Sequence, residues 1–136
     1  MAGYKHIERC IGAFIAGNYR HPVEIGSGNN WEAARVITGA GIPVLCTDIR
    51  NVSSPAGIFF VQDDIFEPDP VVYSGADVLY AIRPAEEMIP PMINLARNLR
   101  CELVVYHLGF ESYGDGGEII DCGVLLHRYL RQNAHC

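Results

Sequence analysis

The stretch VEIGSGNNWEAARVITGAGIPVLCTDIR, residues 23–50, decides the fold because it sets two strands, a glycine loop and an acid in a fixed order. Residues 23–25 form a short apolar strand, and residues 26–30 form the loop that follows it. A second strand, residues 43–47, ends immediately before Asp48. Loops of this kind expose backbone N–H groups at the start of a helix and hold the nucleoside end of a cofactor.

The rest of the chain continues the alternation of helices and strands. Apolar residues at helical spacing predict helices over residues 4–17 and 31–40, and a third whose pattern begins at Met88. Either Pro90 and Pro91 lie in the first turn of this third helix or it starts later than the pattern suggests. Further strands are predicted at residues 58–61, 78–82, 103–106 and, as the last one, 123–129. Residues 109–118 are rich in glycine and predict a flexible loop.

The first strands are uninterrupted apolar runs rather than alternating ones, which is typical of a parallel sheet covered on both faces. We therefore expect an α/β fold, a three-layer Rossmann-like sandwich with a mostly parallel sheet of five to seven strands. With 136 residues, the chain (1–136) is expected to form a single domain, with residues 1–20 as an N-terminal helix.

Composition excludes several classes of function. The formal net charge is −6 and Lys5 is the only lysine, so no basic surface for direct nucleic-acid binding is expected. No apolar run reaches the roughly 20 residues of a membrane span, and the N-terminal residues lack an apolar signal core, so we expect a cytoplasmic protein. Five cysteines without C-x-x-C spacing indicate reduced thiols and no metal site. The unpaired edge of a small sheet makes a homodimer possible.

The glycine loop separates two classes of cofactor. A dinucleotide loop has the pattern G-x-G-x-x-G, whose last glycine lets the helix pack closely on the strand. That position holds Trp31, the largest side chain, and the residues at the same edge of the sheet are mostly acids, which disfavour a pyrophosphate. NAD is therefore the less favoured ligand.

The pattern acid-x-Gly-x-Gly, with an acid after each of the next two strands, resembles that of the class I S-adenosylmethionine-dependent methyltransferases. Four segments together, Glu24-Ile25-Gly26, Asp48-Ile49-Arg50, Asp63-Asp64-Ile65 and Ala81-Ile82-Arg83-Pro84, resemble a small, functionally uncharacterised archaeal family with a methyltransferase-like Rossmann fold. The resemblance runs from residue 23 through the fifth strand. It implies a minimal methyltransferase-like core that binds S-adenosylmethionine, with a small-molecule ligand as partner.

The resemblance also implies a role for each site residue. Gly26, Ser27 and Gly28 would hold the methionine part of the cofactor, and Glu24 would orient the loop near its ammonium group. A carboxylate inside an apolar strand needs a partner, so the alternative for Glu24 is a structural role in which it accepts from the N–H groups of the loop. Asp48 would bind the two ribose hydroxyls, with Ile49 beside it. Either Asp63 or Asp64 would accept from the adenine amino group, and Ile65 would contact the ring. Asn30 replaces a third glycine of many methyltransferases, and asparagine tolerates left-handed backbone angles.

Two residues are candidates for catalysis. Arg83 follows the fourth strand and either clamps a carboxylate or phosphate of the acceptor or pairs with Glu86 or Glu87. Pro84 is expected to push Arg83 into extended backbone geometry. His107 follows the fifth strand and is the candidate base. No N-P-P-Y run follows the fourth strand, which argues against transfer to exocyclic nitrogen of nucleic acids or to glutamine.

Three functions remain open from the sequence. The first is a methyltransferase that acts on a small molecule or on a protein. The second is a non-catalytic module that binds a nucleotide or S-adenosylmethionine. The third is an assembly subunit that kept the fold and lost the ligand.

Overall fold

Seven strands form one sheet in the computed structural model, which describes residues 3–109 and 111–131. In chain order the strands are β1 (Pro22–Ile25), β2 (Leu45–Asp48), β3 (Phe59–Gln62), β4 (Val78–Ile82), β5 (Glu102–Tyr106), β6 (Glu118–Asp121) and β7 (Leu125–Leu130). The helices are α1 (Gly3–Asn18), α2 (Glu32–Gly39) and α3 (Ile89–Leu99), with short 3-10 turns at Pro70–Tyr73 and Glu86–Met88. Pro90 and Pro91 lie in the first turn of α3, the first of the two alternatives.

The sheet order is β3-β2-β1-β4-β5-β7-β6. The pairs from β3 to β5 are parallel, whereas β7 pairs antiparallel with both β5 and β6. The chain order reverses between β1 and β4, and in open α/β sheets ligands bind beyond the carboxyl ends of the strands at such a point. The predicted three-layer α/β sandwich with a mostly parallel sheet is confirmed.

Two apolar layers cover the sheet. On one face α1 and α2 pack through Ile11, Ile15 and Ile37 against sheet residues such as Tyr80. On the other face α3 buries Met92, Leu95 and Ala96. Helices on both faces explain why β1 and β4 are apolar at nearly every position, because neither face of these strands reaches water.

Strand β3 departs from this pattern. It was expected to be buried, yet it is the edge strand, and Phe59 is 66% exposed. Only Phe60 turns inward, where its ring meets Trp31 edge-on. The homodimer remains a prediction. The exposed apolar edge of β3 is one surface through which two copies could pair.

The C-terminal part forms a hairpin of β6 and β7, of which only one strand, at residues 123–129, was assigned from the sequence. Strand β6 was missed because it lies at the other sheet edge and carries acids at both ends, Glu118 and Asp121. Phe110, within the predicted flexible loop, and the chain ends at residues 1–2 and 132–136 lie outside the described residues. Within the described part of the chain, no helix has the length and apolar character needed to cross a membrane.

Candidate functional site

A cavity of about 230 Å³ opens at the carboxyl ends of β1 to β4. It lies where the strand order reverses, and residues that follow each of the four strands line it. We call it the first cavity. The predicted site residues among those lining it are Gly26, Asp48, Ile49, Asp63, Asp64, Ile65 and Arg83.

The glycine loop continues the pairing of β1 with β2 beyond the strand ends. The N–H groups of Gly26 and Ser27 both donate to the carbonyl oxygen of Thr47, at 2.8 and 3.1 Å. Gly26 and Gly28 have φ values of +75° and +53°, a region that residues with a Cβ disfavour. A Cβ on Gly26 would also meet the Met88 methyl group at 3.4 Å, so the bare backbone keeps this end of the first cavity open.

Asp48 is held against the glycine loop. Its Oδ2 accepts a hydrogen bond from the Gly28 N–H at 2.8 Å, and its Oδ1 accepts from the Arg50 N–H at 2.9 Å. The Arg50 side chain adds a longer ion pair, 3.5 Å from Nε to Oδ1. The residue is only 8% exposed. Because a carboxylate oxygen can accept more than one hydrogen bond, both oxygens retain acceptor capacity in a fixed orientation.

The two neighbouring acids after β3 differ in their hydrogen bonds. Asp63 is used by the protein itself, since it accepts from the Tyr73 hydroxyl at 2.7 Å and from the Asp69 N–H at 3.2 Å. The Asp64 carboxylate accepts only the Phe66 N–H among the described residues, through Oδ1 at 2.9 Å. Its Oδ2 therefore remains available to a ligand.

Apolar side chains flank these acids. Ile49 is 60% exposed and Phe66 is 54% exposed, although both line the first cavity. Ile65 is buried beneath them. Exposed apolar side chains at the wall of a cavity are suited to covering a flat ring. Phe66 and Met88 line this cavity and were missed from the sequence.

Glu24 lies beneath the loop rather than in the cavity. Its side chain is buried and accepts from the Tyr80 hydroxyl at 2.9 Å, not from the loop N–H groups that the sequence suggested as its structural partners. Burial, and to a lesser degree the nearby carboxylate of Glu8, raise the pKa of Glu24 to about 8. Ser27 and Gly28 also do not line the cavity, and the Ser27 hydroxyl is buried without a hydrogen-bond partner among the described residues.

Glu8 of α1 belongs to the site, although its sequence pattern did not predict it. It is fully buried, and its Oε2 accepts from Asn30 Nδ2 at 2.9 Å and from Arg83 Nη1 at 2.6 Å. Its Oε1 has no partner within the described chain. The available signal was its position: Glu8, Ile11 and Ile15 recur at helical spacing, which places a carboxylate on the apolar face of α1.

Asn30 therefore has a different role from the one expected. It does not adopt a left-handed backbone, since the positive-φ residues other than glycine in the described chain are Arg83 and Arg100. Its side chain instead connects the loop to Glu8 and accepts from the Glu32 N–H at 3.2 Å. An amide at this position fixes the loop through α1, where a glycine would leave it free.

Arg83 corrects two predictions. Its φ is +53°, so the backbone is left-handed and not extended as the following proline suggested. Its guanidinium pairs with Glu8, not with Glu86 or Glu87, and lies over the Tyr106 ring at 5.3 Å from the centroid. The Arg83 N–H also donates to the Tyr106 carbonyl at 2.7 Å. These three contacts compensate for an uncommon backbone conformation, of a kind that clusters at functional sites.

His107 follows β5 but does not line the first cavity. It lines another cavity, next to the β6–β7 hairpin, and its Nε2 lies 2.6 Å from the Tyr129 hydroxyl. Burial, then the neighbouring His127, lower the pKa of His107 below its ordinary value, while Glu111 opposes the shift. Among the described residues no group of three or more His, Cys, Asp or Glu side chains is arranged to hold a metal ion.

Methyltransferases are among the solved structures that share this architecture. One is the CcbJ methyltransferase of Streptomyces caelestis, with a TM-score of 0.53 and 16% identity over 72% of this chain and 50% of that one. Another is an O-methyltransferase family protein of Burkholderia thailandensis, with a TM-score of 0.53 and 11% identity over 74% and 36%. The chain thus spans half or less of these two structures. At such identities the likeness shows the fold.

A third structure is a 1,6-didemethyltoxoflavin-N1-methyltransferase of Burkholderia thailandensis with bound 1,6-didemethyltoxoflavin and S-adenosylhomocysteine. It has a TM-score of 0.50 and 14% identity, over 91% of this chain and 60% of that one. The ligands belong to that protein, and the common feature is the fold.

Relatives in sequence are archaeal. A UPF0146 protein of Pyrococcus horikoshii is 38% identical over 103 residues, which cover 73% of this chain and 79% of the relative. One of Archaeoglobus fulgidus is 31% identical over 106 residues, covering 77% and 78%. The model of the uncharacterised protein family UPF0146 matches residues 8–114, a span that contains Glu8, the glycine loop, the acids after β2 and β3, Arg83 and His107. The chain therefore belongs to the UPF0146 family, whose fold here is that of the class I methyltransferases.

Proposed function

We propose that the first cavity binds S-adenosylmethionine and that the protein transfers its methyl group to a small molecule. The observation that carries this proposal is the hydrogen bond between Asp48 and the Gly28 N–H, 2.8 Å, at the point where the strand order reverses. It fixes a carboxylate beside a bare backbone turn, which is the pairing that an adenosine sugar and its attached chain require.

The other lining residues fit the same ligand. In the proposal, Asp64 accepts from the adenine amino group and Ile49, Ile65 and Phe66 cover the ring. The cofactor supplies an electrophilic methyl group on a sulfonium sulfur. Among the described residues, three carboxylates and one guanidinium line the cavity, a balance that favours a cationic ligand over one with phosphates.

The size of the cavity supports a nucleoside inside it. Its 230 Å³ is smaller than the roughly 300–1,000 Å³ that is typical of ligand sites. We expect the adenosine to fill it and the amino-acid end to extend along the glycine loop. Met88, whose methyl group lies 3.4 Å from the Cβ position of Gly26, is the side chain we expect to move to admit that end.

A dinucleotide is disfavoured on a separate ground. Trp31 occupies the position of the last glycine in the dinucleotide pattern G-x-G-x-x-G. Its ring packs edge-on against Phe60, with 6.3 Å between the ring centroids. This indole takes up the space that the close helix–strand packing of a dinucleotide loop requires.

Calorimetric titration with S-adenosylmethionine, S-adenosylhomocysteine, NAD and AMP tests the proposal. We expect the first two to bind and NAD to bind at least tenfold more weakly. The variant Asp48→Asn should lower the affinity about tenfold or more, since one charged hydrogen bond to the sugar is worth roughly 1.5–3 kcal/mol.

The matched control is Asp115→Asn, because Asp115 also accepts a backbone N–H two residues ahead, from Gly117 at 2.9 Å, but does not line the first cavity. It should bind as the wild type does. Tighter binding of NAD, or an unchanged affinity in a folded Asp48→Asn protein, would refute the assignment. Binding without transfer to any acceptor would favour the non-catalytic alternative.

A further inference from the structure

A second cavity of about 470 Å³ lies between the carboxyl end of β5, α1 and the β6–β7 hairpin. Ile7, Ile119 and Leu125 give it apolar walls, and the rings of His107 and His127 give it polar ones. Its volume lies in the range of sites for small molecules, which are mostly apolar with a few convergent polar groups.

The two cavities share a wall. Arg83 lines the first cavity, and its guanidinium carbon lies 5.3 Å from the ring centroid of Tyr106, which lines the second. The two residues are also joined by a backbone hydrogen bond of 2.7 Å between adjacent strands. The two cavities therefore meet at the contact between the Arg83 and Tyr106 side chains.

The hydrogen bonds of the second cavity are compatible with a tautomer of His107 in which Nδ1 can accept a proton. Its Nε2 lies 2.6 Å from the Tyr129 hydroxyl oxygen, which also accepts the Tyr113 N–H at 2.9 Å. That oxygen has two lone pairs, so it can accept a proton donated by Nε2 as well. In this tautomer Nδ1 is unprotonated, and it makes no hydrogen bond to another described residue.

The surroundings of His107 favour its neutral form. His127 lies edge-on to it, 4.8 Å between ring centroids, and holds its own ring through Nδ1, which donates to the Gly116 carbonyl at 2.8 Å. Burial and His127 lower the pKa of His107, and Glu111 opposes them. A neutral imidazole is the form that can accept a proton.

The lining also limits the chemistry of the ligand. Within the described residues that line this cavity there is no lysine or arginine, whereas Glu111 is acidic. A carboxylate or phosphate ester would lack a cationic partner there. A neutral aromatic ring matches the apolar walls, and a phenolic hydroxyl is acidic enough, with a pKa of about 10, to give its proton to an imidazole during the reaction.

We propose, on the basis of the proposed function, that the second cavity binds the methyl acceptor, a small neutral phenol, and that Nδ1 of His107 accepts its hydroxyl proton. In this step the acceptor oxygen would form a bond to the methyl carbon of S-adenosylmethionine. The bond from that carbon to the sulfonium sulfur would break, with its electron pair moving to sulfur. The hydroxyl proton passes to His107. Tyr129 is a positioning residue, since it holds Nε2.

The binding test uses p-cresol and the ring signals of His107 and His127 in nuclear magnetic resonance spectra of the full chain. We expect saturable shifts at millimolar p-cresol. Ile119→Trp, which fills the cavity from a half-exposed position, should abolish them. Val71→Trp, at an exposed site outside both cavities, should not.

Asp48→Asn keeps the two proposals apart, because it impairs the first cavity only. The p-cresol shifts should persist in that variant. Absence of saturable shifts in the wild type, or shifts that survive Ile119→Trp, would overturn the second cavity as the acceptor site. Binding of p-cresol by a protein that binds no S-adenosylmethionine would refute the proposed function and the acceptor role with it.

The catalytic test measures methyl transfer to p-cresol. His107→Gln should lower kcat by about 100-fold or more while p-cresol binding changes less than about threefold. His21→Gln, at the amino end of β1, is the matched control and should retain full activity. Equal rates in wild type and His107→Gln, or transfer to 4-methylbenzylamine but not to p-cresol, would overturn the assignment.

Discussion

The guanidinium of Arg83, at the end of β4, donates from Nη1 to Oε2 of Glu8 in α1 over 2.6 Å. Glu8 is fully buried, and the Arg83 side chain is 27% exposed. This ion pair joins the first helix to the edge of the sheet that carries the site. It also sets the position of the only cation that lines the first cavity within the described residues.

Removal of that cation should destabilise the protein strongly. Arg83→Gln leaves the Glu8 carboxylate buried without a charge partner, and we expect a loss of about 3 kcal/mol in the free energy of unfolding. The double variant Glu8→Gln/Arg83→Gln should recover part of it. Urea unfolding measures both. As a control, Arg9→Gln breaks a 3.6 Å pair with Glu32 whose arginine is half exposed, and should cost less than about 1 kcal/mol. Equal effects at the two sites would contradict this account.

Glu24 should make the folded protein less stable as the pH rises. Burial, and next the Glu8 carboxylate, raise the pKa of Glu24 to about 8 in the folded state, above the unfolded value of about 4.3. Between those values the folded chain holds a proton that the unfolded chain has lost, so its contribution is complete below about pH 4 and declines up to about pH 8.

The measurement is urea unfolding of wild type and Glu24→Gln at pH 5 and pH 8.5. Glutamine keeps an acceptor for the Tyr80 hydroxyl and has no charge to bury. The variant should gain stability relative to wild type at pH 8.5, by roughly a few kcal/mol more than at pH 5. A constant difference between the two proteins would show that Glu24 does not titrate in this range.

The position of the site could be predicted from the sequence, because the carboxyl ends of parallel strands meet at one edge. Asp48, Asp64 and Arg83 each follow a recognisable apolar strand, and all three line the first cavity. The conformation of Arg83 could not be predicted. The preference that Pro84 imposes is local, whereas its left-handed backbone depends on contacts with Glu8 and Tyr106, which come from distant parts of the chain.

The surroundings of His107 could not be predicted for a similar reason. Its place after β5 follows from the sequence. The cavity that its ring enters is formed by the β6–β7 hairpin, one strand of which has an acidic, exposed sequence without a strand signature. Tyr129, the partner of Nε2, lies 22 residues away on β7.

Gly12 should be intolerant of a methyl group because α2 packs directly against it. A Cβ on Gly12 would lie 2.7 Å from the Ala33 carbonyl oxygen and 2.8 Å from the Val36 Cβ. We expect Gly12→Ala to lower stability by about 1–3 kcal/mol, despite the higher helix propensity of alanine. Gly17→Ala, in the same helix with nothing within 4 Å of the added atom, should be neutral or stabilising. Thermal unfolding compares them, and a stable Gly12→Ala protein would show that the helices can separate without loss.

Gly28 offers the sharpest test of the glycine loop as a ligand site. Its φ is +53°, and a Cβ there would lie 3.1 Å from Arg50 Nη2 and 4.0 Å from Asp48 Oδ2. Gly28→Ala should therefore strain the turn, move the N–H that orients Asp48 and weaken S-adenosylmethionine binding by about tenfold or more. Gly41→Ala is the matched control, since Gly41 also has a positive φ, +84°, but nothing within 4 Å. Both variants should lose about 1 kcal/mol of stability from backbone strain, and only Gly28→Ala should lose affinity in calorimetry. Equal affinities in the two proteins would mean that the Gly28 N–H does not position Asp48 for the ligand.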